Sequence, residues 1–341
     1  MQEPIGAAIV GCGAIFPLHA GAVQQLDGVK LKVVVDSDAS KAEQAAAEYA
    51  CEAASDYQTL LERDDIQVVH LCTPHHLHAE MATRLLRAGK HVLTEKPLAH
   101  HLKAAEDLLA EARRNEAQLG VVFQNRYNAS SQKIREFLDS KTLGRLLCLK
   151  GIVTWHRDET YYTDSPWRGS WATEGGGVLI NQAIHTLDLL QWFGGEVVSV
   201  QGSVTADALG DVIEVEDTAH ASFRFADGVR GLFYATNAYL ANSPVELELV
   251  FEGGTLHQRD DCLYLIQDGL ESLISEPPVS LDDAGRIIGK SYWGSSHRLL
   301  IADFYDHIRT GTRFAMNGEE GLKTLRLIAE LYRSSRTRDS R

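Results

Sequence analysis

The sequence lacks a basic surplus: 33 Lys and Arg stand against 47 Asp and Glu, and the net charge of -14 would repel a nucleic-acid backbone over most of the surface. It also lacks paired thiols. Cys12, Cys51, Cys72, Cys148 and Cys262 are odd in number, widely scattered and form no C-x-x-C pair, which excludes a disulfide framework and a thiolate zinc site. No stretch is long and apolar enough to span a bilayer, and Met1 to Ala8 has neither the basic region nor the apolar run of a signal peptide. There is no internal repeat and no low-complexity tract. These absences predict a soluble, cytoplasmic protein with reduced cysteines and no nucleic-acid or membrane partner.

What is present is enough apolar residue, 44% of 341, for more than one core, so two domains are expected. Up to about residue 124, short apolar runs (Ala7 to Val10, Leu31 to Val35, Val68 to Cys72, His91 to Thr94, Leu119 to Phe123) alternate with helical patterns such as His78 to Ala88 and Lys103 to Arg114. That rhythm predicts a doubly wound parallel sheet, a Rossmann domain over 1–124. Over 125–341 the rhythm changes. Helical patterns at Ser131 to Ser140 and Val178 to Phe193 accompany strand-like runs at Leu146 to Trp155, Val197 to Thr205, Thr218 to Phe225, Val229 to Ala235, Val245 to Phe251 and Leu263 to Ile266. Ala226-Asp227-Gly228 signals a hairpin, because glycine accepts the positive φ of such turns. The second domain is therefore read as α+β on a mostly antiparallel open sheet, with Gln267 to Ser296 as a long surface excursion and helices at Leu299 to Thr310 and Glu319 to Ser334.

Gly11-Cys12-Gly13 directly follows the first apolar run and opens a helical pattern. Glycines there let the backbone approach a pyrophosphate at a helix N-terminus, although Phe16 stands where a third glycine is expected. Asp36 ends the second run, where an acidic side chain accepts from an adenosine ribose and repels a 2′-phosphate; this favours NAD over NADP, with Lys41 nearby as a counterweight. Glu95-Lys96-Pro97 delivers a lysine at the carboxyl edge of the sheet. Three residues of the Val178 to Phe193 pattern, Asn181, His185 and Asp188, fall four and three apart, and on a helix they would share one face looking into a cleft. His185 suits general acid/base work, since an imidazole accepts and returns a proton near neutrality; a core histidine with satisfied nitrogens is the alternative.

These motifs, in order and spacing, resemble the glucose-fructose oxidoreductase, inositol dehydrogenase and rhizopine-catabolism (Gfo/Idh/MocA) family over nearly the whole chain. The residues that carry the resemblance are Gly11-Cys12-Gly13-Ala14-Ile15 with His19, Thr73-Pro74 with His78, Gly89 to Leu93 running into Glu95-Lys96-Pro97, Gln124-Asn125-Arg126-Tyr127, Trp167-Arg168, Gly175-Gly176-Gly177 with His185 and Asp188, Glu216-Asp217-Thr218, and Tyr292 to His297. The resemblance implies an NAD(P)-dependent dehydrogenase or reductase acting on a hydroxyl or carbonyl carbon of a sugar, sugar derivative or cyclitol. It assigns cofactor contacts to Gly11, Gly13, Ala14, Ile15, Asp36, Thr73, Pro74, His76, His78, Glu95, Lys96, Gln124, Trp167 and Arg168. Substrate contacts fall to Lys96, Arg126, Tyr127, Asn181 and His185, with Lys96, His185 and Asn181 as the catalytic set, and a homodimer or homotetramer is implied. Glu95 is either a partner of Lys96 or a ribose ligand, and Arg126, Tyr127, Trp167 and Arg168 either meet ligand or pack at the domain junction. Many relatives carry Asp where Asn181 stands; an amide orients a hydroxyl but is no base, which leaves more of the proton work to His185. No metal is expected from His75, His76 and His78, which no thiol or acid is placed to join. An NAD-retaining glycosidase that works by transient oxidation, and a dinucleotide-binding regulator without turnover, are the competing readings.

Overall fold

The computed structural model describes residues 3–276 and 296–339, with no side chains over 337–339. The strands, in chain order, are β1 (Ile5–Val10), β2 (Val29–Val35), β3 (Glu52–Ala54), β4 (Val68–Leu71), β5 (His91–Thr94), β6 (Leu119–Val121), β7 (Leu146–Thr154), β8 (Val197–Thr205), β9 (Thr218–Phe225), β10 (Arg230–Thr236), β11 (Glu246–Phe251), β12 (Gly254–Arg259), β13 (Cys262–Gln267) and β14 (Leu270–Ser275). The α-helices are α1 (Phe16–Gln24), α2 (Ala39–Tyr49), α3 (His75–Arg87), α4 (Leu102–Ala112), α5 (Ala129–Ser140), α6 (Glu159–Thr163), α7 (Ile184–Gly194), α8 (His297–Thr310) and α9 (Gly318–Asp339). The chain divides into two compact units, Met1–Gln124 with Ser296–Lys323 and Asn125–Ser295 with Thr324–Arg341. Residues 296–323, assigned on sequence to the second domain, thus belong to the first.

In the first unit β1 to β6 form a parallel sheet in the order β3-β2-β1-β4-β5-β6. The middle strands are buried almost throughout, four of four residues in β4, as a sheet covered on both faces requires. Strand order reverses between β1 and β4, and the crevice beyond the carboxyl ends of such a pair is where open α/β sheets bind ligands. Helix α8 packs on α1. Its Phe304 lies where a side chain on Gly120 of β6 would have to go, with ring carbons 2.9 and 3.0 Å from the site of a Cβ, so the glycine is what lets helix and strand meet.

In the second unit eight strands run β14-β13-β12-β11-β7-β10-β9-β8, with β7 and β10 parallel and the other neighbours antiparallel. Burial alternates along β9, β10 and β11, so one face is covered and the other open. Helix α7 lies on β7: a Cβ on Gly151 would come 2.7 Å from Thr186 Cγ2 and 3.1 Å from Leu190 Cδ1. The expected β9–β10 hairpin forms, with Gly228 at φ 80°.

Two expectations are corrected. The excursion from Gln267 begins instead with β14, which pairs with β13; its Pro277-Pro278 and Tyr292 lie outside the described residues. The helix expected over Val178 to Phe193 starts only at Ile184. Val178, Leu179 and Ile180 are all buried, but they form a turn ahead of the helix.

Candidate active site

The glycine turn after β1 is built by its neighbours. Gly11 has φ 98°, and a Cβ there would meet Cys72 O at 2.5 Å, so the residue after β4 leaves room only for glycine. Its N–H donates to Val35 O at 2.7 Å, and the next one, Cys12 N–H, donates to Asp36 Oδ2 at 2.8 Å. Asp36 Oδ1 accepts from Asp38 N–H at 2.9 Å, which fixes the carboxylate at the end of β2 while each oxygen keeps a second lone pair for a ribose hydroxyl. Lys41 pairs at 3.8 Å with Asp38. Burial, with Asp36 beside it, pushes the Cys12 thiol up to about 12, so it carries no nucleophile. Gly13 and Ala14 are exposed, nothing lies within 4 Å of a Cβ built on Gly13, and no side chain caps α1 at Ile15. An exposed glycine at an uncapped helix N-terminus suits a pyrophosphate, and the shielded Thr73 Oγ1 and His76 Nδ1, unpartnered among the described residues, add polar atoms at the next loop. The residues present therefore fit a dinucleotide.

His78 has a different place from the one expected. It is wholly buried, with Nδ1 2.7 Å from Pro97 O and Nε2 2.8 Å from Thr73 O, so it staples the loop after β4 to the loop after β5. His75 is buried at the start of α3 and His76 turns toward His100. Among the described residues no group of three or more His, Cys, Asp and Glu side chains is placed to hold a metal ion.

Lys96 follows β5 and is half-buried; its backbone N–H donates to Glu95 Oε2 at 3.1 Å. Glu95 is buried, and it ends a chain of polar groups that the sequence does not reveal. His19 Nε2 lies 3.2 Å from Glu95 Oε1, His19 Nδ1 lies 2.9 Å from His70 Nδ1, and His70 Nε2 lies 3.0 Å from the Tyr305 hydroxyl. An ionised carboxylate only accepts, so His19 Nε2 carries its proton. His19 Nδ1 is then bare and accepts from His70 Nδ1–H, and His70 Nε2, bare in turn, accepts from Tyr305 O–H. This assignment needs both imidazoles neutral, and burial lowers both of their pKa values. Burial pushes Glu95 up, but hydrogen bonds from His19 and from His297, 3.5 Å away, outweigh it and hold the carboxyl well below the usual range. A histidine inside the apolar run Val68 to Leu71 was the available signal.

In the second unit the glycine run is a packed turn. A Cβ on Gly177 would fall 1.9 Å from Glu216 O, and one on Gly176 would fall 2.2 Å from the Tyr332 hydroxyl. The buried Glu216 accepts from Gly177 N–H and Leu179 N–H at 3.0 Å each and from Tyr332 O–H at 2.9 Å. By taking those two N–H groups it anchors the turn over 177–180 that precedes α7. Asn181 therefore sits in the turn and His185, half-buried, in the first turn of α7, so the two do not share a helical stripe. Asn181 Nδ2 donates to Glu174 Oε1 at 2.6 Å and lies 3.3 Å from the Tyr161 hydroxyl. Gln182 Nε2 reaches the same hydroxyl at 3.0 Å, and Asn237 Nδ2 bridges Tyr162 and Gln182. Glu174, Tyr161, Gln182 and Asn237 were not singled out on sequence; Glu174 was visible as the acid heading the glycine run.

Asp188 does not look into a cleft. It is buried and clamps Arg126 bidentately at 2.6 and 2.7 Å, with the guanidinium 5.3 Å from the Trp192 ring centre, so the Arg126 guanidinium is a buried cation held by Asp188. Arg168 lies 4.0 Å over the Tyr161 ring and 5.2 Å from the Trp167 ring centre, and its Nη1 donates to Tyr161 O at 3.1 Å; it braces the Tyr161 shelf. Tyr127 is half-buried and Gln124, the last residue before the division, is buried.

Comparison with known proteins matches residues 5–123 to the oxidoreductase family with NAD-binding Rossmann fold and residues 131–257 to the GFO/IDH/MocA C-terminal domain. Levoglucosan dehydrogenase of Pseudarthrobacter phenanthrenivorans is 29% identical over 64% of this chain and 62% of its own length. Myo-inositol 2-dehydrogenase of Thermotoga maritima is 23% identical over 94% of this chain and 92% of its own. Among solved structures, the WlbA dehydrogenase from Bordetella pertussis, in complex with NADH and UDP-GlcNAcA, matches with TM-score 0.83 and 27% identity over 98% of this chain and 97% of that one. The chain spans 62% to 66% of the length of three of its curated relatives. With both halves matched in order to the models of one family, and a glycine turn, acidic strand end and sheet-edge lysine that fit a dinucleotide, this chain belongs to the Gfo/Idh/MocA oxidoreductases and its first unit carries their NAD-binding Rossmann fold.

Proposed function

We propose that this protein is an NAD-linked dehydrogenase or reductase of a hydroxyl or carbonyl carbon on a sugar, sugar derivative or cyclitol. The observation that carries the reading is the Asp36 carboxylate pinned by Cys12 N–H beside the open Gly13, a cradle suited to the ribose and pyrophosphate of NAD and hostile to a 2′-phosphate. Bound NAD supplies the hydride acceptor or donor. Lys96, its backbone anchored on the ionised Glu95, stabilises negative charge as it develops on the substrate oxygen. His185 takes the hydroxyl proton in the oxidising direction and returns it in the reducing one, and Asn181 orients the hydroxyl. Support for the substrate class comes from the relatives, which act on levoglucosan and inositol or hold UDP-GlcNAcA. The second unit is assigned substrate binding and self-association, as a homodimer or homotetramer. Leu232 and Tyr234, exposed on the open face of β10, supply apolar surface for the latter. The free cysteines agree with a cytoplasmic setting.

The test is reduced-nicotinamide absorbance with NAD and NADP separately, across aldoses, sugar acids, nucleotide sugars and inositols. Turnover is expected with NAD, and Lys96→Ala is expected to lower kcat by about 100- to 1000-fold. Failure to bind any nicotinamide nucleotide, or full turnover in Lys96→Ala, would falsify the reading.

A further inference from the structure

We propose that Tyr161 is a further substrate-contacting residue that sets specificity: its phenol donates a hydrogen bond to the oxygen of a sugar hydroxyl other than the one oxidised or reduced. This deepens the function proposed above and rests on it, because Asn181, against which the phenol lies, meets a substrate only in that reading.

Tyr161 is fixed at both ends. It sits in α6, where its backbone N–H donates to Asp158 Oδ1 at 3.0 Å and its carbonyl accepts from Arg168 Nη1 at 3.1 Å. Its ring meets Tyr162 edge to face, with centres 5.0 Å apart. At the far end the hydroxyl oxygen accepts Gln182 Nε2–H at 3.0 Å and lies 3.3 Å from Asn181 Nδ2. Gln182 faces it nitrogen first because its own Oε1 accepts Asn237 Nδ2–H at 3.0 Å. Two amide N–H groups thus take up the lone pairs of the phenol oxygen. What remains is its proton, which none of the described residues accepts.

A held, neutral donor suits a sugar, since each hydroxyl oxygen offers lone pairs and a few placed polar groups fix a ligand's orientation. Burial pushes the phenol pKa up, so the group keeps its proton throughout the neutral range. The residue is half-buried, which leaves the hydroxyl within reach of a ligand. Stacking is not its role: the Arg168 guanidinium lies 4.0 Å over the ring and that of Arg157 lies 5.2 Å from its centre, so a face that a sugar would use is already taken.

The experiment uses the full-length protein, a sugar found in the nicotinamide assay, and the monodeoxy and deoxyfluoro analogues of that sugar, changed one position at a time. Tyr161→Phe removes the hydroxyl and keeps the ring. It is expected to lower kcat/KM about tenfold, carried by KM, with NAD affinity by titration calorimetry held within about twofold. In the wild type, loss of one particular hydroxyl should cost about tenfold as well, and fluorine at that position, which accepts weakly but cannot donate, should cost less. In Tyr161→Phe these two analogues should cost less than about twofold further, while changes at other positions cost what they do in the wild type. Equal kcat/KM in Tyr161→Phe and wild type, losses that add at every position, a fluoro analogue no better than the deoxy one, or a matching loss of NAD affinity would each overturn the proposal and leave the proposed function standing. A wild type that turns over no sugar would overturn both.

Discussion

Glu95 in the first unit and Glu174 in the second are the same residue type, both buried at 7% and 1% exposed, and their environments drive them in opposite directions. Burial penalises the charge of both. At Glu95 imidazole N–H groups from His19 and His297 more than offset it, and the carboxyl stays ionised far below its ordinary value. At Glu174 burial outweighs the bonds from the Gly169 N–H and the Asn181 amide, a second carboxylate is near, and the group rises to about 7. The lesson is that depth alone does not set charge: the number and strength of donors does. One carboxylate anchors the backbone of Lys96, and the other changes charge near neutral pH.

The largest effect should come from removing the anchor. Glu95→Ala takes the acceptor from His19 and His297 together and should cost about 3 to 5 kcal/mol in urea unfolding, as several charge-assisted hydrogen bonds are lost at once. A cost near zero would break the comparison. The sign with pH sharpens it. Because the folded pKa of Glu95 is depressed, its stabilisation is present above the ordinary value of 4.5 and fades as pH falls below it. The folded pKa of Glu174 is raised from 4.5 to about 7, so the native state binds the extra proton and stability is lost as pH climbs through that window. Glu174→Gln should therefore gain on the wild type by about 3 kcal/mol between pH 4.5 and pH 7, read from denaturation midpoints across the range. The two glycine turns extend the contrast at smaller scale. Gly177→Ala, driven into Glu216 O, should lose about 2 to 3 kcal/mol. Gly13→Ala, with open space around it, should keep stability within about 0.5 kcal/mol and instead weaken NAD binding about tenfold by titration calorimetry.

Much of this was legible in the residues. Unbroken apolar runs such as Ala7 to Val10 fixed a parallel sheet, and Gly11 with Asp36 pointed to its ligand edge before any coordinates. Local patterns failed where long-range partners decide. Val178 to Phe193 reads as one helix because its apolar residues are dense, but its first residues form a turn anchored through Gly177 and Leu179 N–H on Glu216, far along the chain, and the helix starts at Ile184. Arg126 gives no sign on sequence of its clamp by Asp188, 62 residues later. Tyr305 offers no clue on sequence to its bond with His70, 235 residues away.

The return of residues 296–323 to the first unit has a consequence for biosynthesis. A ribosome releases β1 to β6 early, yet α8, which covers α1 and brings Tyr305 and His297 to the buried relay, is translated only after the second unit's last strand. The nucleotide-binding half must wait, with α1 uncovered and Glu95 short of a donor, until nearly everything else has emerged.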